Sequence, residues 1–435
     1  MTRQFRSPLL AALALCLATA ATAQTGTAPV VVIPPFAFQD NKTTSAGEIW
    51  QIAQQASELM AADLRGSGDL VTFGPDGQPR YVYAEVTAPR FGAWRKAGAK
   101  ALVTGFVRPR EDGRITIGCY VYDVHAGREI GRQGFVVAPD EWRRAAHRCA
   151  DTAYTKLTGR RGGFDTRIAY IAETGTPMTP IKRVAVMDSD GSNHQYLTAG
   201  DTTVVTPRLS PDGARLAFVS FSGGQPHVRL LDLDGEQHRP LVPEGSTSFA
   251  PRFSPDGRQV VFTMVQGGNS DIYIADADGG APRRLTTSPG IDTSASFSPD
   301  GRRILFESDR SGSQQLYVMN SDGTEQQRIS FGPARYAAPA WSPDGELIAF
   351  TRIDGGGLRI GTMTAAGGDE RTLTTGPFDE SPSWSPNGRN LLFHRWTPGA
   401  VRTGVLTVSA DGGQPRPAPT PQSGSDPDWS AGVAE

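Results

Sequence analysis

One block of sequence returns at a nearly constant interval, and that interval limits the fold more than any other property of the chain. Ser-Pro-Asp-Gly begins at Ser210, Ser254, Ser298 and Ser342, Ser-Pro-Asn-Gly begins at Ser385, and a truncated copy stands at Trp429-Ser430; the spacings are 44, 44, 44, 43 and 45 residues. Two residues after each full block comes a short apolar run ending in Phe218, Phe262, Phe306, Phe350 or Phe393. A second series runs in step, with a turn glycine at Gly191, Gly235, Gly279, Gly323, Gly367 and Gly412. Proline presets φ, Asp bonds the local backbone and Gly accepts a positive φ, so Pro-Asp-Gly between apolar runs predicts a hairpin. Two such turns per period predict four strands; in the third copy these are Ser296–Ser298, Arg303–Glu307, Gln315–Asn320 and Gln326–Ser330.

The second strand of each copy is apolar without alternation, as in Ile304-Leu305-Phe306. Such a strand is covered on both faces, and sheets stacked between similar sheets supply that cover. Four strands in about 44 residues is propeller spacing. The first copy opens directly on Arg167-Ile168-Ala169-Tyr170, and the last ends in an orphan strand, Asp428-Trp429-Ser430. Joining the two completes a blade from both chain ends and removes an open sheet edge. The expected architecture is an α/β N-terminal domain followed by an all-β six-bladed β-propeller, closed by pairing of the C-terminal strand with the first blade. Pro415, Pro417, Pro419 and Pro421 then fall on an outer strand, where missing donors cost least.

The N-terminus reads as a secretory signal. Arg3 and Arg6 precede an apolar stretch from Leu9 to Ala20, and Ala21-Thr22-Ala23 offers a cleavage site. The expected divisions are 1–23 as signal peptide, 24–160 as a small α/β domain and 161–435 as the propeller. Leu15 before Cys16 argues against lipidation, because a small residue is expected there. The product is expected to be exported by way of a cleaved signal, with no membrane insertion. The 43 basic and 45 acidic residues are close to balance, which leaves no electrostatic footprint for nucleic acid.

In the N-terminal domain, Val30–Pro34 and Ala101–Phe106 read as strands, and Ile115, Ile117, Cys119 and Val121 alternate as a half-buried strand. Ser45–Leu64, Arg90–Ala97 and Glu141–Leu157 read as helices, with Thr158–Gly163 as a linker. Cys119 and Cys149 both face the single core of this domain, and in an oxidising compartment they form a disulfide candidate.

Catalytic signatures are missing. No Gly-x-Ser-x-Gly elbow, His-Glu-x-x-His motif or phosphate loop occurs, and the six histidines are scattered. The Asp-x-Asp-Gly copies at Asp188, Asp232 and Asp276 lack the remaining calcium ligands and read as hairpins. No enzyme activity, cofactor or metal is expected. Function is expected instead in the loops entering each blade, which vary between copies while the opposite turns do not. The candidate partner-binding residues there are Thr202, Thr247, Phe249, Asp292, Tyr336, Phe378 and Asp379.

The run Ala61-Ala62-Asp63-Leu64-Arg65-Gly66-Ser67-Gly68 and the junction Leu157-Thr158-Gly159 through Gly163-Phe164-Asp165-Thr166-Arg167-Ile168-Ala169-Tyr170, together with the repeats, resemble the TolB family over essentially the whole mature chain. The resemblance implies a monomeric periplasmic scaffold of the Tol–Pal system. It implies binding of the peptidoglycan-associated lipoprotein Pal through the propeller and of TolA through the N-terminal segment. It also implies a role in outer-membrane integrity and invagination during division. Here only Gln24–Pro29 separates the expected cleavage site from Val30, a shorter segment than the family often carries. The alternative is a secreted propeller that binds a sugar or peptide through exposed aromatics such as Phe249, Tyr336 and Phe378.

Overall fold

The structure is a computed structural model describing residues 29–75, 82–176, 178–233, 235, 238–243, 245–400 and 402–431. The expected signal peptide lies outside these residues. The chain divides into two compact units, Met1–Asp165 and Thr166–Glu435.

The first unit is built on a mixed sheet. Strands β1 (Val30–Val32), β2 (Ala37–Phe38), β3 (Val71–Phe73), β4 (Ala101–Pro109), β5 (Ile115–Asp123) and β6 (Arg128–Val137) assemble in the order β3-β1-β4-β5-β6, with β2 also on β4. Helix α1 (Ile49–Gly66) begins four residues later than the apolar periodicity predicts. Residues Thr43–Thr44 and Gly47–Glu48 form a small antiparallel ladder instead, and Gln51 caps the Glu48 N–H. The short helices α2 (Tyr83–Thr87) and α3 (Phe91–Lys96) follow, and α4 (Trp142–Thr158) ends on Gly159 in a left-handed conformation. Ile52, Ala56 and Met60 of α1 pack with Ala146, Cys149 and Ala153 of α4 over Val103, Ile117 and Val121. Cys119 and Cys149 meet in this core as a disulfide, with Cα atoms 5.9 Å apart. The strand β6 has no clear alternation of its own, and its mostly exposed surface explains why its sequence gives no strand signal.

The second unit consists of consecutive four-stranded antiparallel modules; the first four are separate sheets, and the last two are joined by one parallel pairing, Leu358 with Phe378, into a sheet of eight strands. Their innermost strands are Val204–Leu209, Thr247–Phe253, Asp292–Phe297, Arg335–Trp341, Phe378–Trp384 and, for the sheet that begins the unit, Ser423–Ala431. The last of these pairs with Thr166–Thr176, placing Trp429 opposite Ile168. Apolar clusters fill the space between successive sheets. One of them sets Leu392 and Val405, near the end of the chain, against Ile168, Tyr170 and Ala185, near the start of the unit. Phe218, Phe262, Phe306, Phe350 and Phe393 are all at most 1% exposed, as strands covered on both faces require.

The repeated tetrapeptide explains its own recurrence. In the copy at Ser298 the Ser Oγ donates to Asp300 Oδ1 at 2.6 Å. That oxygen accepts the Arg302 N–H, and Ser298 Oγ accepts the Arg303 N–H at 3.0 Å. Gly301 closes the turn at φ +71°, which an L side chain reaches only with strain. The same bonds recur at Ser210, Ser254 and Ser342, and with Asn387 at Ser385. Each side chain is consumed inside the hairpin.

The innermost strands are longer than the sequence suggests. In the fourth sheet the strand runs Asp292–Phe297 rather than Ser296–Ser298, because a bulge between Thr293 and Ser296 interrupts the ladder without ending it. The equivalent bulge occurs in all six innermost strands. Its left-handed residues are Thr206, Ala250, Ser294, Ala338, Ser381 and Asp426, none of them glycine. Five of the six precede a proline, so no amide donor is lost to the interrupted ladder there.

Candidate partner-binding face

Each innermost strand starts where the second strand of its own sheet ends: Thr247 opposes Val265, Asp292 opposes Ser308 and Phe378 opposes Trp396. The loops between sheets and the turns between second and third strands therefore share one end of the unit. The Ser-Pro-Asp-Gly hairpins and Asp-Gly turns share the other.

The structure separates the candidate residues into two groups. Thr202 and Thr247 are half-buried. Phe249 is half-buried too, with part of its ring against the cluster containing Val219, Val228 and Met264. Phe378 is half-buried and packs against the Trp396 ring with centroids 5.1 Å apart. These four keep surface at the loop end.

Asp292, Tyr336 and Asp379 occupy one equivalent position in three innermost strands, and all three are buried. Asp379 is held by both Arg395 Nε at 2.5 Å and Arg395 Nη2 at 2.9 Å. Asp292 takes Arg310 Nη2 at 2.7 Å, and burial pushes its carboxyl above the usual range. Gly376 lies so close to the Asp379 pair that a Cβ would stand 2.4 Å from Arg395 Nε. Tyr336 packs edge-on against Phe350 and donates its hydroxyl to Glu370 Oε2 at 2.8 Å. Burial first, then Glu370, pushes the Tyr336 phenol up to about 12. These three residues brace the loop end from inside and offer no free side-chain surface. A residue at the start of a pleated strand can face a neighbouring sheet or the solvent, and the repeat alone does not distinguish the two.

Other residues supply the exposed apolar surface. Ile291 is 54% exposed, Phe331 74%, Trp396 42% and Phe221 38%, and all four lie at the loop end. Trp396 follows the constant Phe393 by three residues, beyond the apolar run that marks the second strand, so no periodic signal singles it out. Among the described residues, no group of three or more His, Cys, Asp and Glu side chains is placed to hold a metal ion. No helix of the described residues is long and apolar enough to cross a membrane.

Consecutive four-stranded antiparallel modules with apolar loops gathered at one end, preceded by an α/β unit, define a β-propeller protein with an appended N-terminal domain. The chain belongs to the TolB family: the TolB beta propeller domain matches residues 154–433, and the TolB amino-terminal domain matches residues 22–130. It is 46% identical over 200 residues to Tol-Pal system protein TolB 1 of Novosphingobium aromaticivorans, covering 46% of this chain and 44% of that protein. It is 50% identical over 192 residues to Tol-Pal system protein TolB of Sphingopyxis alaskensis, covering 44% and 42%. The aligned stretches thus span less than half the length of these relatives. Among solved structures, TolB from Acinetobacter baumannii superimposes with a TM-score of 0.76 at 28% identity, covering 93% of this chain and 97% of that one.

Proposed function

We propose that the protein is a periplasmic scaffold of the Tol–Pal system that acts by binding, not by catalysis. It is exported on a cleaved signal spanning 1–23 and works as a monomer. Residues 24–160 form the α/β domain, and 161–435 form a six-bladed propeller closed by the C-terminal strand. The propeller holds the lipoprotein Pal at its loop end, and the segment before Val30 contacts TolA. By joining these partners the protein supports outer-membrane integrity and invagination during division. The observation carrying this reading is the gathering of Phe249, Ile291, Phe331, Phe378 and Trp396 at the end whose loops vary between copies. Variable loops on a rigid scaffold are where binding concentrates. Thr202 and Thr247 lie on the same face and contribute polar contacts at its rim.

Calorimetric titration of purified Pal into the mature protein tests the reading. Phe378→Ala or Trp396→Ala should weaken binding by about 1–3 kcal/mol with little change in melting temperature, as for a solvent-exposed anchor buried by a partner. Tyr336→Phe should leave affinity unchanged. Wild-type affinity in Phe249→Ala, Phe378→Ala and Trp396→Ala alike would remove this face from the binding site. The Phe378–Trp396 pair at the loop end also suits stacking on a sugar ring, the second reading. Retention on immobilised peptidoglycan glycan without Pal, lost in Trp396→Ala, would favour it.

A further inference from the structure

A second cluster lies deeper in the innermost strands, apart from the aromatic face. Two residues beyond each left-handed bulge residue, the six sheets place Arg208, Arg252, Ser296, Ala340, Ser383 and Asp428 at one equivalent level. Four of these meet on one carboxylate. Asp428 Oδ1 accepts from Arg252 Nη1 at 2.9 Å and from Ser383 Oγ at 3.4 Å, with Arg208 Nε at 3.9 Å, while Oδ2 accepts the Leu209 N–H at 2.9 Å. These groups come from four different sheets, two of which are not neighbours. They can converge only where the innermost strands face a common axis.

The charges at this level do not balance. Two guanidinium groups share a single carboxylate, and both arginines are permanently charged under ordinary conditions. Arg208 also donates Nη1 to the Pro207 and Asp426 carbonyls, at 2.7 and 3.4 Å. Among the described residues Arg252 has one hydrogen bond, to Asp428, although a guanidinium carries five N–H donors. Its side chain is 22% exposed, so a small group can reach it. Of the other acidic residues on these strands, Glu380 precedes the bulge residue Ser381, and Asp426 is itself a bulge residue whose carboxylate accepts from Ser425 Oγ. Burial, followed by the like charge of Arg208, lowers Arg252 to about 9 despite Asp428. The site is electropositive, with open donors.

We propose that Arg208 and Arg252 form a carboxylate-binding site on the axis of the propeller, taking a second carboxylate beside that of Asp428. Paired guanidinium N–H groups match a carboxylate's two oxygens, and the surrounding protein weakens competition from water. The carboxylate comes either from a free small acid or from an acidic side chain of the protein docked on the loop end. Only the second source rests on the proposed function.

Thermal unfolding of the mature protein at low ionic strength tests the site with succinate as probe. Succinate should raise the melting temperature of the wild type above the value in sodium chloride of equal ionic strength, and Arg252→Gln should lose that difference. Equal melting temperatures in succinate and chloride for the wild type overturn the proposal without recourse to any variant. Retention of the succinate effect in Arg252→Gln overturns it as well. A parallel titration with Pal separates the sources. A loss of about tenfold or more in Arg252→Gln assigns the carboxylate to the partner. Unchanged Pal affinity in Arg252→Gln, with the succinate effect present in the wild type and lost in the variant, assigns it to a free acid. Failure of the wild type to bind Pal would count against the proposed function, while the succinate comparison still decides the axial site.

Discussion

Asp151, on helix α4, shows how a single carboxyl can tie stability to pH. Burial raises it to about 6, assisted by the charges of Asp63 and Asp165, while the N–H groups of Phe164 and Asp165, at 2.9 and 3.1 Å, hold it down. A carboxyl whose pKa rises on folding binds its proton more tightly in the native state. Its contribution is therefore complete below the unfolded value near 4 and is lost as pH rises through about 6. The first unit should lose about 2 kcal/mol from this group between pH 4 and pH 8, after allowance for partial exposure. Chemical denaturation across that range should show the slope, and Asp151→Asn should flatten it. An unchanged slope in the variant would assign the dependence to other groups. Tyr336 makes the opposite point: its aromatic character was legible in the sequence, but its direction was not. Its ring is 1% exposed because the strand pleat turns that position toward the next sheet. Tyr336→Phe should therefore cost about 0.5–1.5 kcal/mol of stability, by removing the hydroxyl's bond to Glu370.

Among the elements, the strand Ser423–Ala431 joins the two ends of the second unit. Trp429 donates its indole N–H to Thr166 Oγ1 at 2.9 Å, and its backbone N–H reaches Ser383 Oγ at 3.0 Å. Removing residues from Asp426 onward exposes the edge of Thr166–Thr176 and takes away Asp428, on which the two arginines depend. The truncated chain should lose at least about 3 kcal/mol and become prone to association through the open edge. Equilibrium unfolding with light scattering checks both parts. A wild-type midpoint in the truncated chain would show that this strand contributes nothing to the unit. The four-strand period was legible because both turns of each repeat carry their own chemistry. The bulges were not: they occupy Thr, Ala, Ser and Asp, residues without an intrinsic preference strong enough to announce a left-handed backbone before the neighbouring sheets impose it.

At the scale of the whole molecule, the two units have separate cores and different means of support. The second relies on packing from sheet to sheet, and the first carries the Cys119–Cys149 bridge. That bridge closes a loop of 30 residues, worth roughly 3–4 kcal/mol in the chain-entropy model. Reduction should lower the unfolding midpoint of the first unit and leave that of the propeller in place. Thiol titration of the denatured, unreduced mature protein should find none free. Two free thiols would show that the bridge does not form in solution.

The sequence by itself determined the repeat, the turn chemistry and the apolar second strands, because each depends on residues near one another in the chain. The Ser-Pro-Asp-Gly bonds span at most five residues, and no distant group is needed to explain them. The pairing of the terminal strand with the first strand of the unit was legible too, because the last copy is short of its partners. The tertiary structure alone decided which residues of the loop end face outward. It buried Asp292, Tyr336 and Asp379, and it left Ile291, Phe331 and Trp396 exposed. It also brought Arg208, Arg252 and Asp428 together across as many as 220 positions of chain. Local sequence specifies a hairpin through bonds a few residues long, whereas the direction of a side chain and the meeting of distant charges depend on how one sheet packs against the next.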